Sequence, residues 1–382
     1  MSKGANEGDM RKVIYPKGTA YEQTYLNLFQ GELANMQQNW ADLKNEYTAE
    51  FGHIPSNVND ILKADYSTLV TWYVQFKQLP FSSRNVLNGR LKSIFDYDKW
   101  SAVIADYFKN PQNGFNISSC HYCDMSYINA FEVDPEADGL YILNNTPHDE
   151  LKVKLGTRVD SKVEEVMRHK YNSKADFERI AVTLRWKPGK FDRMFNPQDK
   201  YRHHFDLDHA LPKSEFWLVA LSLYNFVPSC QICNQKLKRS RVLGSGGIPK
   251  ENLSPSSPLF DGERKTEFHL LPKADVKAGR LKPSQNPQDY DIRLDAIDPD
   301  YDDFIKLFKL EERYQQHKRV ALHWLEMKYK YSDAHIKMME EALKEHRNLD
   351  FSFSRIKSDI FQNELYRDKS MSFSKLREDM LK

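Results

Sequence analysis

The chain has 382 residues, with 56 basic against 54 acidic side chains, 40% hydrophobic and 13% aromatic content. That much apolar material excludes a disordered protein, and the length suits two or three units better than one core. Charges that nearly cancel exclude a global basic field, so any attraction for nucleic acid must be local.

The first residues, Met-Ser-Lys-Gly-Ala-Asn-Glu-Gly, hold no apolar leader core, and no later stretch approaches 18 uninterrupted apolar residues. The expectation is a cytoplasmic chain that neither enters nor crosses a membrane. After a polar segment over 1–18, Tyr25, Phe29, Leu33, Met36, Trp40, Leu43 and Tyr47 recur at steps of three and four. This predicts one long amphipathic helix from Tyr21 to Phe51, closed by Gly52 and Pro55. The pattern repeats over 58–79 and 84–108, so residues 1–110 read as a helical domain. Pro111-Gln-Asn-Gly114 is a turn. A short strand is expected at Ala130–Val133, then a mainly helical insertion over 147–200, with Ser173 placed to cap a helix.

The Gly-rich 244–249 and the Ser/Pro-rich 252–262 read as a linker or extended loop. Phe268–Leu271 reads as a lone strand. Residues 289–303 hold seven acids and one Arg, and read as a solvated loop. Helix is expected from there to about 349 and again near 354–366, followed by a basic tail. The fold class is therefore mainly α with a small α+β core. Its expected parts are a helical domain over 1–110, a central domain over 111–262 and a helical region over 263–382.

The chemistry is concentrated in the centre. All four cysteines fall in two pairs, Cys120-His-Tyr-Cys123 and Cys230-Gln-Ile-Cys233. Two such pairs brought together make a tetrahedral Cys₄ zinc site. In a cytosolic chain this reading outranks disulfides, and neither pair opens a thioredoxin-like helix, which argues against redox chemistry. The second pair ends a string that begins Phe205-Asp-Leu-Asp208-His209-Ala-Leu-Pro212-Lys213-Ser214 and continues through Asn225 to Asn234.

Phosphodiester hydrolysis needs an activated water, neutralisation of phosphate charge and help for the departing oxygen, and one divalent ion can supply the last two. Alternation over 205–209 puts Asp206 and Asp208 on one side and His209 on the other. Asp208 and Asn234 offer hard oxygens suited to Mg²⁺ or Mn²⁺, and His209 is a candidate general base. Asn225 can brace the loop after His209, having both donors and acceptors. From Arg185 to Arg241 there are eleven basic residues against five acids. Lys213, Lys236, Lys238, Arg239 and Arg241 are the candidates for binding a nucleic-acid backbone.

Cys120–Cys123 together with Phe205–Lys238 resembles the HNH endonuclease family, a ββα-metal fold, in the branch that carries an added zinc knot. The resemblance spans about 40 of the 382 residues. It implies that His209 is the base, Asn225 the middle Asn and Asn234 the last position. It also implies that Asp208 binds the catalytic ion and that the four cysteines bind structural zinc. Two features depart from the family. The 106 residues between Cys123 and Cys230 imply an insertion, and Leu237 stands where the family has a Lys, flanked by Lys236 and Lys238.

More loosely, a helical front, this motif and a helical tail are similar to HNH components of bacterial anti-phage systems of the Septu and retron-associated kind, which act with an ATPase. That resemblance implies a DNA-cleaving antiviral effector acting with a partner ATPase. Helical surroundings this large on a chain of near-zero net charge are expected to offer a protein-docking surface on at least one terminal helical region. Two other readings compete. One is an RNA-cleaving toxin, acting for example on tRNA. The other is a zinc-knotted module with a degenerate core that binds nucleic acid or protein.

Overall fold

The computed structural model describes residues 12–187, 189–195, 201–273, 286–343, 352–363, 366 and 371–382. Seven helices come first: α1 (Ala20–Asn27), α2 (Leu33–Glu46), α3 (Thr48–Phe51), α4 (Val58–Leu62), α5 (Tyr66–Gln78), α6 (Phe81–Ile94) and α7 (Tyr97–Lys109). The single helix expected over Tyr21–Phe51 is three. Gly31, a weak helix former, sits in the break, and Phe29 turns inward there, fully buried against Trp100 at 4.8 Å between rings. Asp65 and Asp96 cap α5 and α7 by accepting from Thr68 N and Asp98 N, which divides the other two predicted helices as well.

The chain divides into two compact units, one made of Met1–Asn129 with His204–Lys382 and the other of Ala130–His203. The insertion is therefore longer than the expected 147–200, because it begins and ends in paired strands. β1 (Ala130–Glu132) runs antiparallel to β2 (Tyr201–His203), with Ala130 opposite His203. Between them lie α8 (Pro135–Asn145), α9 (His148–Lys154), α10 (Asp160–Met167) and α11 (Lys174–Thr183). Leu143, Leu151, Val163, Val166 and Phe177 form a core of their own. Ser173 caps α11 as expected, accepting from Asp176 N. Residues 196–200 of the predicted helical stretch lie outside the described residues.

In the larger unit β3 (Asp206–His209) pairs antiparallel with β4 (Phe226–Ser229), and a π-helix over Ile232–Lys238 follows. The expected linker over 244–262 is ordered and largely packed. β5 (Gly244–Ser245) and β6 (Ile248–Pro249) form a tight hairpin through Gly246 and Gly247, both at positive φ (61° and 79°). That conformation is the one two-residue hairpin turns require. Ser254, Ser256 and Ser257 are buried, and Pro255 O accepts from Val13 N.

After α12 (Gly262–Lys265), the predicted lone strand proves to be β7 (Thr266–Pro272), paired along its length with β8 (Tyr290–Ala296). β8 takes up much of the acidic run, with Tyr290, Ile292 and Leu294 facing inward. Then come α13 (Asp300–Leu307), α14 (Leu310–Tyr314), α15 (Lys318–Lys330), α16 (Asp333–Leu343), α17 (Phe353–Ile360) and α18 (Ser374–Leu381). The helix predicted to 349 is described to 343, and 344–350 lie outside the described residues.

The tail is not a free basic segment. In α18, Lys375 and Asp379 are buried and paired at 2.7 Å, and Asp379 also accepts from Phe268 N of β7. The molecule is thus mainly helical with small antiparallel sheets, and its N- and C-terminal regions belong to the same unit as β3 and β4. Among the described residues no helix is long and apolar enough to cross a membrane.

Candidate active site and metal centre

Cys120–Cys123 forms a tight turn in which Cys123 N and Asp124 N both donate to Cys120 O, and Asp124 takes φ of 54° to reverse the chain. Cys230 and Cys233 lie at the junction of β4 and the π-helix. The four sulfurs are buried, unbridged by disulfides and within 4.8 Å of one another. Cys230 N donates to Cys120 Sγ at 3.3 Å, and Arg313 Nη1 approaches Cys233 Sγ at 3.3 Å. Four soft donors converging this closely can hold a metal ion such as zinc. A cation beside them offsets the negative charge the thiolates carry.

The C-terminal region closes over this centre. Tyr314 donates to Cys123 O at 2.9 Å, Lys375 N to Asp124 Oδ2 at 3.1 Å, and Tyr122 stacks on Phe308 at 4.4 Å.

Asp206 and Asp208 share one side of β3, as strand alternation requires, but they meet different partners. Asp206 Oδ2 accepts from Asn234 Nδ2 at 3.2 Å and Gln235 Nε2 at 3.0 Å, on the first turn of the π-helix. Asp208 is buried deeper. Its Oδ2 accepts from Tyr122 OH at 2.5 Å and lies 3.0 Å from Lys238 Nζ, which also reaches Oδ1 at 3.3 Å. Lys238 completes its shell by donating to His209 O at 2.7 Å.

The expected Asp208–Asn234 pair is therefore not what the structure brings together. Lys238 takes the Asp208 carboxylate, and Asp206 is the acid beside Asn234. Burial raises the Asp208 pKa, while the Lys238 charge and the Tyr122 hydrogen bond act to lower it. The π-helix explains Leu237 as well. In its i→i+5 turn, Arg239 N donates to Asn234 O at 2.8 Å. This wider turn rotates later residues back, so Lys238, four beyond Asn234, takes the side that the third residue would take in an α-helix.

Lys238 is 0% exposed. It is a strut inside the protein and not the backbone-binding cation expected from sequence. Removing one partner of a buried ion pair strands the other charge at a cost of about 3–5 kcal/mol. Asp208→Ala should lose about that much in chemical denaturation. Asp208→Ala combined with Lys238→Met should recover most of it, and additive losses in the double variant would show the pair to be uncoupled.

His209 meets partners of its own. Its Nε2 lies 2.9 Å from Ala220 O, and its ring meets Tyr97 edge-on at 4.5 Å and Phe226 at 4.9 Å. A carbonyl can only accept, so Nε2 carries the proton and Nδ1 keeps the lone pair. Burial, joined by the nearby Lys213 and Lys238 charges, pushes the His209 pKa down to about 3, against the Ala220 contact. The ring is thus neutral at physiological pH.

Asn225 is fully buried and braces the loop between β3 and β4. Its Oδ1 accepts from Leu211 N, while Nδ2 donates to Leu211 O and Val219 O, all within 3.0 Å. The N-terminal helices hold the same loop from outside. Tyr25 donates to Leu221 O at 2.8 Å, Asn88 binds Ser214 O and Trp217 N, and Lys213 pairs with Asp98 at 2.7 Å.

Comparison of the chain with protein-family models, curated proteins and solved structures finds no match. The site must be judged on its own atoms. Among the expected cations, Lys236, Arg239 and Arg241 are exposed, and Lys213 is half-buried over the Tyr97 ring at 4.3 Å.

Of the two possible ion-binding acids, Asp208 does not fit a divalent ion as placed, since an ammonium already faces both its oxygens. Asp206 and Asn234 fit better. They are half-buried, they touch, and either end of the Asn amide can turn toward Asp206, so a hard cation would meet oxygen from both. Period-two alternation already grouped Asp206 with Asp208. Tyr122 was also in view, between the two cysteines of its pair, but nothing local revealed that its hydroxyl reaches Asp208.

Proposed function

We propose that the protein is a metal-dependent endonuclease of the HNH kind, hydrolysing phosphodiester bonds in DNA and braced by structural zinc on its four cysteines. The observation that carries this reading is His209, held as a neutral imidazole whose Nε2 is committed to Ala220 O. That arrangement leaves Nδ1 to take a proton from water. Three residues before it on the same strand, Asp206 meets Asn234. A Mg²⁺ or Mn²⁺ ion held by these two would neutralise phosphate charge and assist the departing 3′-oxygen. An anionic phosphate beside His209 favours the protonated ring and raises its basicity from the low value of the free protein. Asn225 and the N-terminal helices keep the His209 loop in one geometry. The role of bacterial anti-phage effector with a partner ATPase belongs to the same proposal and rests on the looser family resemblance.

The test is cleavage of plasmid DNA and of tRNA by the purified chain with Mg²⁺ or Mn²⁺, alone and with the product of a neighbouring ATPase gene. Asp206→Asn should abolish the cleavage that Mg²⁺ or Mn²⁺ supports, whereas Asp208→Asn should act mainly through stability. Cleavage of tRNA alone would reassign the substrate. Cleavage that persists without divalent ions, or that never occurs in any combination, would overturn the reading.

A further inference from the structure

The helix that carries Asn234 forms one wall of a groove of about 800 Å³ whose lining does not include His209. Opposite it lie the C-terminal half of α5, the β5–β6 hairpin and α13 with the residues just after it. Three cations from separate segments line the groove: Lys236 on the π-helix, Arg241 just beyond it and Lys306 on α13. None of the three has an ion-pair partner among the described residues. Lys309 joins them, held only by an exposed contact of 3.5 Å to Glu312.

The lining acids do not cancel this charge. Glu215 is already neutralised by Lys77 at 2.7 Å and accepts from Tyr73, which leaves Asp303 as the one lining acid without a partner among the described residues. At the rim, Gly246 and Gly247 expose bare backbone, with open space where a Cβ would stand. Leu237, Phe304 and Leu307 contribute an apolar floor.

We infer that this groove is the track for a nucleic-acid backbone, with Lys236, Arg241 and Lys306 each meeting a phosphate. Three positive charges at separate positions along an open channel complement a strand that carries a charge at every nucleotide. The glycine turn lets that strand pass close to the protein main chain. Lys236 lies two residues beyond Asn234, so a strand in the groove leads toward the proposed reaction centre. This assigns part of substrate binding to α13, more than sixty residues beyond the motif, where sequence reasoning placed none. The inference rests on the nuclease reading for its substrate, and binding is measured apart from cleavage so that either can fail alone.

The experiment is fluorescence anisotropy of a labelled DNA duplex, and of DNA and RNA single strands, with the full chain in buffer free of Mg²⁺ and Mn²⁺. Each neutralised phosphate contributes about 0.9 to the salt slope of duplex binding and about 0.7 for a single strand. A variant combining Lys236→Gln, Arg241→Gln and Lys306→Gln should therefore bind about tenfold or more weakly at moderate salt, with a slope smaller by about 2 to 3. The probe that loses most identifies the strand type the groove takes. A control combining Lys154→Gln, Arg168→Gln and Arg179→Gln, in the inserted unit, removes the same charge and should bind like the wild type. Unchanged binding by the groove variant, or an equal loss in the control, overturns the inference. Loss of binding in a protein that cleaves nothing leaves the groove standing and removes the nuclease reading alone.

Discussion

Cleavage by His209→Ala should fall by about 10² to 10⁴, the usual loss when a general base is removed. Zinc content and nucleic-acid affinity should stay near wild type. Some stability will also go, since the imidazole fills space between Tyr97 and Phe226, but that loss should be small beside the effect on rate. The pH dependence gives a second readout. With the folded pKa near 3, the free protein keeps His209 deprotonated through the range where an ordinary histidine, near 6.5, would titrate. The acid limb of kcat/KM should therefore show no inflection near 6.5.

Stability follows the same difference. Below about 6.5 the unfolded chain takes up a proton that the folded one refuses, so this residue lowers stability as pH falls toward 3 and has no effect above that window. An inflection near 6.5 in kcat/KM that disappears in His209→Ala would show the ring to be exposed in the working enzyme.

Cys230→Ser should strip the metal and unfold much of the larger unit. Structural zinc contributes on the order of 10–16 kcal/mol of apparent binding energy in small domains, and that energy is folding energy. Here the centre joins four parts of the chain: the Cys120 turn, the β4–helix junction, Tyr314 and α18 through Asp124. Metal analysis of the wild type should give one zinc per chain. Thermal melting of Cys230→Ser should show a large drop, with α18 becoming susceptible to proteolysis at an early stage. A variant without zinc that melts like the wild type would remove the structural role.

Much of this site was legible because its signals are local. The two Cys pairs carry their own spacing, Asn225 its capacity to bridge main-chain groups, and Asp206-Leu-Asp208-His209 its alternation. What escaped depends on contacts that no short window encodes. Which carboxylate stays available for a cation is decided by Lys238, whose position depends on one i→i+5 turn, and by Tyr122, 86 positions away. Lys238 also has the charge of a phosphate-binding residue, and only burial separates the two roles.

The fold shows the same division. Helical periodicity found the amphipathic segments but not the caps at Asp65 and Asp96 that divide them. The tail read as a basic end because its composition hides the contact that buries it, Asp379 accepting from Phe268 N more than a hundred positions away. The Ser-rich 252–262 looked like a linker because its composition is that of one, whereas its serines are buried.

The way the inserted unit joins the rest has a further consequence. His204 N donates to Asn129 O at 2.9 Å, so the chain leaves and re-enters the larger unit at nearly the same point. Everything between is, for the larger unit, a single loop whose length matters little, since closure entropy grows only with the logarithm of loop size. Such a junction is a natural socket. Lineages could exchange one insert for another there without disturbing the cysteine centre or β3. An experimenter could likewise replace Ala130–His203 with a short turn or a reporter domain and keep the remaining unit whole.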